Sequence, residues 1–138
     1  MNKSKQVIVM RKSFIIDGKK ITPRKGKYVA QGAHSSLKAI LDNMVDFPYD
    51  EKMVLYYKYN SALEDWIKNA FTKVTCVVET EEEIIALYDK AKEKGMICSL
   101  IKDAGLTEFG GVSTITCCAI GPAWSDEVDE ITGGLELF

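Results

Sequence analysis

Strand-like and helix-like segments alternate along this chain, and that alternation limits its fold more than any other feature. Residues 6–11 form a short β-rich run, and residues 27 to about 44 carry apolar side chains at helical spacing. The same order continues downstream, with a strand over 71–79, a helix over 80–94, strands over 96–102 and 114–120, and a short helix over 124–131. The pattern predicts an α/β fold with a mixed, mostly parallel four-stranded sheet flanked by helices.

Local signals mark the ends of these elements. Ser61 and Thr80 are suited to helix N-caps, and three glutamates follow Thr80 in the expected first helical turn. Gly95 is suited to end the helix that begins there, and Gly121-Pro122 is predicted to close the last strand. The lysine-rich segment 13–25 contains turn residues, so we expect it to be an exposed loop or hairpin.

The long helix predicted over 27 to about 44 has two distinct sides. One side collects its apolar and small residues, which are Val29, Ala30, Ala33, Leu37, Ile40, Leu41 and Met44. The other side aligns polar residues at steps of three or four, which are Lys27, Gln31, His34 or Ser35, and Lys38. The polar side is therefore a candidate ligand-facing surface.

Length and composition favour one globular domain over residues 1–138, with 46% hydrophobic and 28% charged residues. No apolar run approaches the ~20 residues of a membrane span, and the N-terminus lacks the apolar segment of a secretory signal. We therefore expect a cytoplasmic protein without a membrane partner. The four cysteines lack CxxC spacing and are accompanied by one histidine, so we predict reduced thiols and no metal site.

The common cofactor and nucleophile motifs are missing from the sequence. Gly105 and Gly110 have P-loop spacing, but Gly111 and Val112 follow where a lysine and a hydroxyl residue are required. The first strand is not followed by GxGxxG, and G-x-S-x-G is absent. A single histidine leaves little scope for a base that activates serine or cysteine. The sequence therefore disfavours dinucleotide or ATP binding and a covalent nucleophile.

Charge is distributed unevenly along the chain. Residues 1–40 hold ten Lys or Arg residues and one acid, a net charge of +9, whereas the remainder carries −11. Such asymmetry is typical of a protein that has an anionic partner near its basic segment. A solvated lysine-rich surface is the alternative.

Two segments that follow predicted strands can share one crevice, because the carboxyl ends of neighbouring parallel strands meet at one edge of an open sheet. These segments are 26–34 (GKYVAQGAH) and 99–107 (SLIKDAGLT). Together with 119–122 (AIGP) and 128–133 (VDEITG), and in that order, they resemble the type 2 peptidyl-tRNA hydrolases. The resemblance implies hydrolysis of the ester between a peptide and the terminal ribose of tRNA, with an activated water and no metal or cofactor. It also implies a three-layer α/β/α sandwich, often assembled as a homodimer.

The functional residues of that family carry over to Lys27, Asp103 and Thr107, with Gln31 and His34 lining the same cleft. Asp103 would orient or deprotonate the water, and Thr107 would donate a hydroxyl hydrogen bond. Lys27 would neutralise the oxyanion or hold the terminal phosphate. Basic side chains of the preceding loop would bind tRNA phosphates, and these are Lys19, Lys20, Arg24 and Lys25.

Three positions depart from the family pattern. Lys102 stands where arginine is common, Leu106 where a basic residue is usual, and Glu108 where glutamine is common. A negative charge at position 108, beside a site for RNA, would weaken affinity or shift function. A non-catalytic RNA- or protein-binding member of the same fold is therefore an open alternative, as is a different small hydrolase that uses the same cleft.

Overall fold

The computed structural model describes residues 3–105 and 108–138. Within these residues the strands are β1 Ser4–Arg11, β2 Phe14–Ile16, β3 Lys19–Ile21, β4 Met44–Phe47, β5 Lys52–Leu55, β6 Lys73–Val78, β7 Cys98–Asp103, β8 Thr114–Trp124 and β9 Glu136–Leu137. The helices are α1 Lys25–Leu41, α2 Ala62–Lys68, α3 Glu81–Glu93 and α4 Ser125–Thr132, with a 3-10 turn at Pro48–Asp50. In the described part of the chain, no helix is long and apolar enough to cross a bilayer.

The fold is α/β, but the expected four-stranded, mostly parallel sheet is wrong. The central sheet has five strands in the order β7-β8-β1-β6-β9, and of its neighbouring pairs only β1 with β6 is parallel within the described residues. The difference arises because β7 and β8 pair as antiparallel neighbours, and the described residues between these strands contain no helix. After α4 it also returns as β9, antiparallel to β6.

Strand β8 continues beyond the point where the sequence predicts that it ends. Gly121-Pro122 lies inside the strand, joined by a cis peptide bond, and β8 pairs with β1 on both sides of it. Ile120 is opposite Val7 and Ala123 is opposite Lys5, so the pairing register shifts here. The irregular pairing lets a glycine-proline step occur without ending the strand.

Helices pack against both faces of the central sheet, because successive side chains of β1 point in opposite directions. On one face Val7 packs in a cluster with Ile84 of α3 and Val128 of α4. On the other face Met10 packs in a cluster with Tyr28 of α1. The N-cap predictions for α2 and α3 are confirmed, since the side chains of Ser61 and Thr80 accept hydrogen bonds from the backbone N–H groups of residues 64 and 83.

Helix α1 lies against the sheet through small and polar residues rather than through its larger apolar ones. Its buried residues are Gln31, Gly32, Ser35 and Ala39. Val29 and Leu37 are instead 72% and 59% exposed. The approach of α1 to the sheet does not require glycine at position 32, because a Cβ there would lie 3.8 Å from Ile8, an ordinary van der Waals contact. The polar side predicted to face a ligand is thus divided, with Gln31 and Ser35 buried and His34 and Lys38 exposed.

The lysine-rich segment 13–25 contains the β2–β3 hairpin, as expected, but one side of that hairpin is buried. Phe14 and Ile16 form a small cluster with Phe109, and the Phe14 and Phe109 ring centroids are 4.6 Å apart. This cluster joins the hairpin to the loop between β7 and β8. Lys19 and Lys20 are exposed on β3, so the hairpin presents their charges to solvent.

Candidate active site

An ion pair between the start of α1 and the end of β7 forms the centre of the candidate site. Lys27 Nζ lies 2.8 Å from Asp103 Oδ1, and the two side chains are only 13% and 15% exposed. The two residues meet because β1 and β7 are both antiparallel to β8, and therefore run in the same direction. Their carboxyl ends reach the same edge of the sheet, where α1 also begins.

Two further hydrogen bonds hold the Asp103 carboxylate. The Gln31 amide donates from Nε2 to Asp103 Oδ1 at 3.2 Å, and the backbone N–H of Gly105 donates to Oδ2 at 2.8 Å. Gly105 has a φ of +81°, and a Cβ there would lie 2.2 Å from the backbone oxygen of Val112. Only glycine fits this position, so the backbone conformation at residue 105 depends on it.

These contacts set the ionisation of Asp103. Burial by itself raises the pKa of this carboxyl group. Hydrogen bonds from Lys27 and the Gly105 N–H, the charge of Lys27 and the Gln31 amide together outweigh burial, and the pKa of Asp103 is below its usual value. The site therefore holds a carboxylate anion beside an ammonium group at neutral pH, which is suited to orienting a water molecule and neutralising an oxyanion.

The Gln31 amide is itself held from the sheet side. The Thr116 hydroxyl of β8 donates to Gln31 Oε1 at 2.6 Å, and the Cys117 thiol donates to the Gln31 backbone oxygen at 3.3 Å. Burial raises the pKa of the Cys117 thiol to about 11, which makes it a poor nucleophile at neutral pH. Sequence reasoning missed Thr116, since a threonine in an apolar strand carries no signal that distinguishes it from an ordinary strand residue.

A second ion pair lies at the rim of the site. Glu108 Oε1 accepts hydrogen bonds from Arg24 Nε at 2.9 Å and from the Arg24 backbone N–H at 3.3 Å. Arg24 is 89% exposed, whereas Glu108 is 16% exposed. Hydrogen bonding from Arg24, together with its charge and that of Lys27, lowers the pKa of Glu108. Glu108 therefore holds Arg24, which is one of the predicted tRNA contacts. Arg24, Glu108 and Lys27 line a shallow cleft of about 400 Å³.

The structure brings together some of the sequence-predicted residues and separates others. Lys27, Gln31 and Asp103 form one hydrogen-bonded group. His34 is exposed one turn further along α1, in a groove that it shares with Leu100. The predicted phosphate contacts Lys19, Lys20, Arg24 and Lys25 are all exposed. Thr107 lies outside the described residues.

No metal site is evident within residues 3–105 and 108–138, where no three His, Cys, Asp or Glu side chains are grouped as ligands. All four cysteines are free and buried.

The α/β fold brings a carboxylate and an ammonium group together where β7 ends and α1 begins, an arrangement that is compatible with hydrolysis of an acyl bond. Comparison with known proteins gives the family. The family model described as peptidyl-tRNA hydrolase PTH2 matches residues 4–138, and this chain belongs to that family.

Relatives from several archaea support the assignment. A peptidyl-tRNA hydrolase of Methanocaldococcus jannaschii is 38% identical over 114 residues, which cover 83% of this chain and 88% of the relative. One from Nanoarchaeum equitans is 38% identical over 135 residues, covering 97% and 98% of the two chains. One from Thermococcus onnurineus is 34% identical over 137 residues, covering 99% of each.

Proposed function

We propose that this chain is a peptidyl-tRNA hydrolase whose hydrolytic centre is the Lys27–Asp103 pair. The observation that carries the proposal is the 2.8 Å contact between two largely buried opposite charges, at a sheet edge bordered by a basic surface. Burial of a charged pair is costly, and it is commonly retained where the charges have a function. The family to which the chain belongs agrees with this reaction.

In the reaction, the oxygen of a water molecule bonds to the acyl carbon of the ester. The tRNA leaves with a free hydroxyl group on its 3′-terminal ribose. Asp103 accepts a hydrogen bond from the attacking water and orients it toward the carbonyl carbon. Lys27 stabilises the negative charge that develops on the carbonyl oxygen. One proton of the water passes to the departing ribose oxygen, so that a carboxylic acid and free tRNA are formed. The family resemblance assigns Thr107 a hydroxyl hydrogen bond in the same cleft, with Gln31 in its lining.

The surface beside the cleft is suited to binding tRNA without reading its sequence. Lys19, Lys20, Arg24 and Lys25 are exposed around the entrance to α1. Contacts from such side chains to phosphates supply affinity and position the substrate, whereas base contacts would restrict the enzyme to particular tRNAs. The acidic remainder of the chain would repel RNA elsewhere and so help to orient it.

Release of tRNA from purified peptidyl-tRNA tests the proposal. Asp103→Asn keeps the shape of the side chain but removes its charge, and we expect it to abolish release. The matched control is Asp42→Asn, which makes the same change at the exposed end of α1. Binding of peptidyl-tRNA without release by the native chain would instead support the non-catalytic alternative. Full activity of Asp103→Asn would refute the assigned centre.

The assembly that we propose is a homodimer of single-domain chains, each a three-layer α/β/α sandwich, in the cytoplasm where peptidyl-tRNA is formed. Exposed Val29 and Leu37 of α1 border an apolar groove of about 770 Å³ that extends to Trp66 and Phe138, and a second copy would cover this surface. Packing of α1 on one sheet face and of α3 and α4 on the other supports the layered description.

Sedimentation equilibrium tests the homodimer. Leu37→Glu places a charge on the apolar surface and is expected to give a monomer. The matched control is Ala86→Glu, which adds the same charge at an exposed position of α3 and should leave the dimer intact. A native chain that sediments as a monomer at micromolar concentration would contradict this part of the proposal.

A further inference from the structure

An irregularity in β8 brings two consecutive side chains onto the same residue of α1. Along the β7–β8 pairing, Ile101 is opposite Cys117 and Lys102 is opposite Ile115, so Thr116 is the extra residue of a β-bulge. In a regular strand Thr116 and Cys117 would point to opposite faces. Here both donate hydrogen bonds to Gln31. Bulges of this kind are common beside active sites, where they redirect a side chain.

The bonds around Gln31 can be made in only one orientation of its amide. The ionised Asp103 carboxylate only accepts hydrogen bonds, so Gln31 must turn its NH₂ group toward Asp103. Its oxygen then faces Thr116, whose hydroxyl lies 2.6 Å away and must donate. Thr116 is fully buried, which leaves no solvent to replace this donor.

We propose that Thr116 is a positioning residue for the hydrolytic reaction, which fixes the Gln31 amide and through it the Asp103 carboxylate. The inference rests on the proposed role of Asp103. Thr116 touches no reacting atom. Its effect is to keep an N–H donor, rather than a carbonyl oxygen, directed at the carboxylate, since a carbonyl oxygen there would repel the negative charge.

Thr116→Val tests the proposal, because valine has nearly the same shape and no hydroxyl group. We expect kcat to fall by about tenfold to a hundredfold, as the carboxylate loses its fixed position. Weakening of the Gln31 bond raises the pKa of Asp103, so the acidic limb of the kcat/KM profile is expected to move to higher pH. Thr116→Ser keeps a hydroxyl donor and is expected to restore both quantities.

A matched control separates this effect from the general loss of a buried hydroxyl. Thr132 of α4 is also buried, and its hydroxyl donates to the Val128 backbone oxygen at 3.1 Å. Thr132→Val should lower the melting temperature while leaving kcat and the pH profile of the native enzyme unchanged. If Thr116→Val does not fold, Thr116→Ala and Thr132→Ala form the equivalent pair.

The route through Gln31 is tested with a double-mutant cycle. In a Gln31→Leu background, adding Thr116→Val should change kcat by less than about twofold, because the residue through which it acts is already gone. The inference would be overturned if Thr116→Val lowered kcat equally in the native and Gln31→Leu backgrounds. It would also be overturned if Thr116→Val alone left kcat and the acidic limb of the pH profile unchanged. Asp103→Asn, assayed in parallel, distinguishes the two proposals. If Asp103→Asn is active, the hydrolytic centre is wrongly assigned. If Asp103→Asn is inactive and Thr116→Val retains the native kcat, only the role of Thr116 is refuted.

Discussion

At the scale of single residues, Asp103 links the chemistry of the site to the stability of the fold. Its pKa is lower in the folded chain than in an unfolded one, where a value of about 3.9 is usual. Ionised Asp103 therefore stabilises the fold above that ordinary value, and this contribution is lost as the pH falls through it toward the lower folded pKa.

Chemical unfolding at several pH values checks this linkage. We expect the difference in free energy of unfolding between the native chain and Asp103→Asn to be largest near pH 7 and to shrink below about pH 4. A difference that stays constant from neutral to acidic pH would show that the carboxylate gains nothing from Lys27, Gln31 and Gly105.

Glu108 holds the exposed Arg24 at the rim of the site, and one substitution can isolate its effect on substrate binding. Glu108→Gln removes the charge that holds Arg24, so the guanidinium becomes available to a phosphate group. We expect a lower KM for peptidyl-tRNA, nearly unchanged kcat, and a salt dependence of binding that is steeper by about one. Glu64→Gln, which alters an ion pair on α2, is the control. An increased KM in Glu108→Gln would mean that the ion pair is needed to shape the cleft.

At the scale of secondary-structure elements, the backbone that follows β7 has a conformation at residue 105 that only glycine can adopt. Gly105→Ala introduces a Cβ that collides with the Val112 backbone at a left-handed φ. We expect destabilisation of about 1–3 kcal/mol and a loss of kcat, because the displaced Gly105 N–H no longer reaches Asp103. Gly110→Ala is a matched control in the same loop, with a φ of +57° but nothing within 4 Å of the added Cβ. Thermal unfolding of both variants should show the larger loss of stability for Gly105→Ala. Similar losses of stability in the two variants would contradict the steric argument.

Elements with strong local signals could be predicted from the sequence, whereas their pairing could not. The N-caps at Ser61 and Thr80 depend on residues only three positions away in the chain, and both predictions are confirmed. The direction of β8 depends on whether the 104–113 connection contains a helix, and its continuation past Gly121 depends on the register with β1. Both are decided by contacts between residues distant in the chain, so periodicity alone gave a mostly parallel sheet.

The candidate site shows the same division. The family resemblance was sufficient to select Lys27, Gln31 and Asp103, which the fold brings into one hydrogen-bonded group. It did not select Thr116, because the bulge that turns this side chain toward Gln31 exists only once β7 and β8 are paired. Helix periodicity also collected the apolar residues of α1 on one side, but Val29 and Leu37 of that side are exposed.

At the scale of the whole molecule, part of the positive charge of residues 1–40 lies on the β2–β3 hairpin, close to the site. Lys19 and Lys20 are exposed on β3, and the packing of Phe14 against Phe109 fixes that hairpin beside the loop that follows Asp103. Phosphate contacts contribute to affinity roughly in proportion to their number, and each one increases the salt dependence of binding. The hairpin should therefore determine how tightly tRNA binds, while the ion pair determines how fast its ester is cleaved.

A double substitution tests this separation of roles. Lys19→Ala with Lys20→Ala is expected to raise KM and to reduce the logarithmic salt slope of tRNA binding by about two, with kcat nearly unchanged. Lys90→Ala with Lys92→Ala removes the same net charge from α3, on the opposite face of the sheet from α1, and should leave both quantities unchanged. If the two pairs had equal effects, net charge would govern binding. A selective effect of the β3 pair means that affinity is local to the hairpin, which the packing of Phe14 against Phe109 holds beside the loop that follows Asp103.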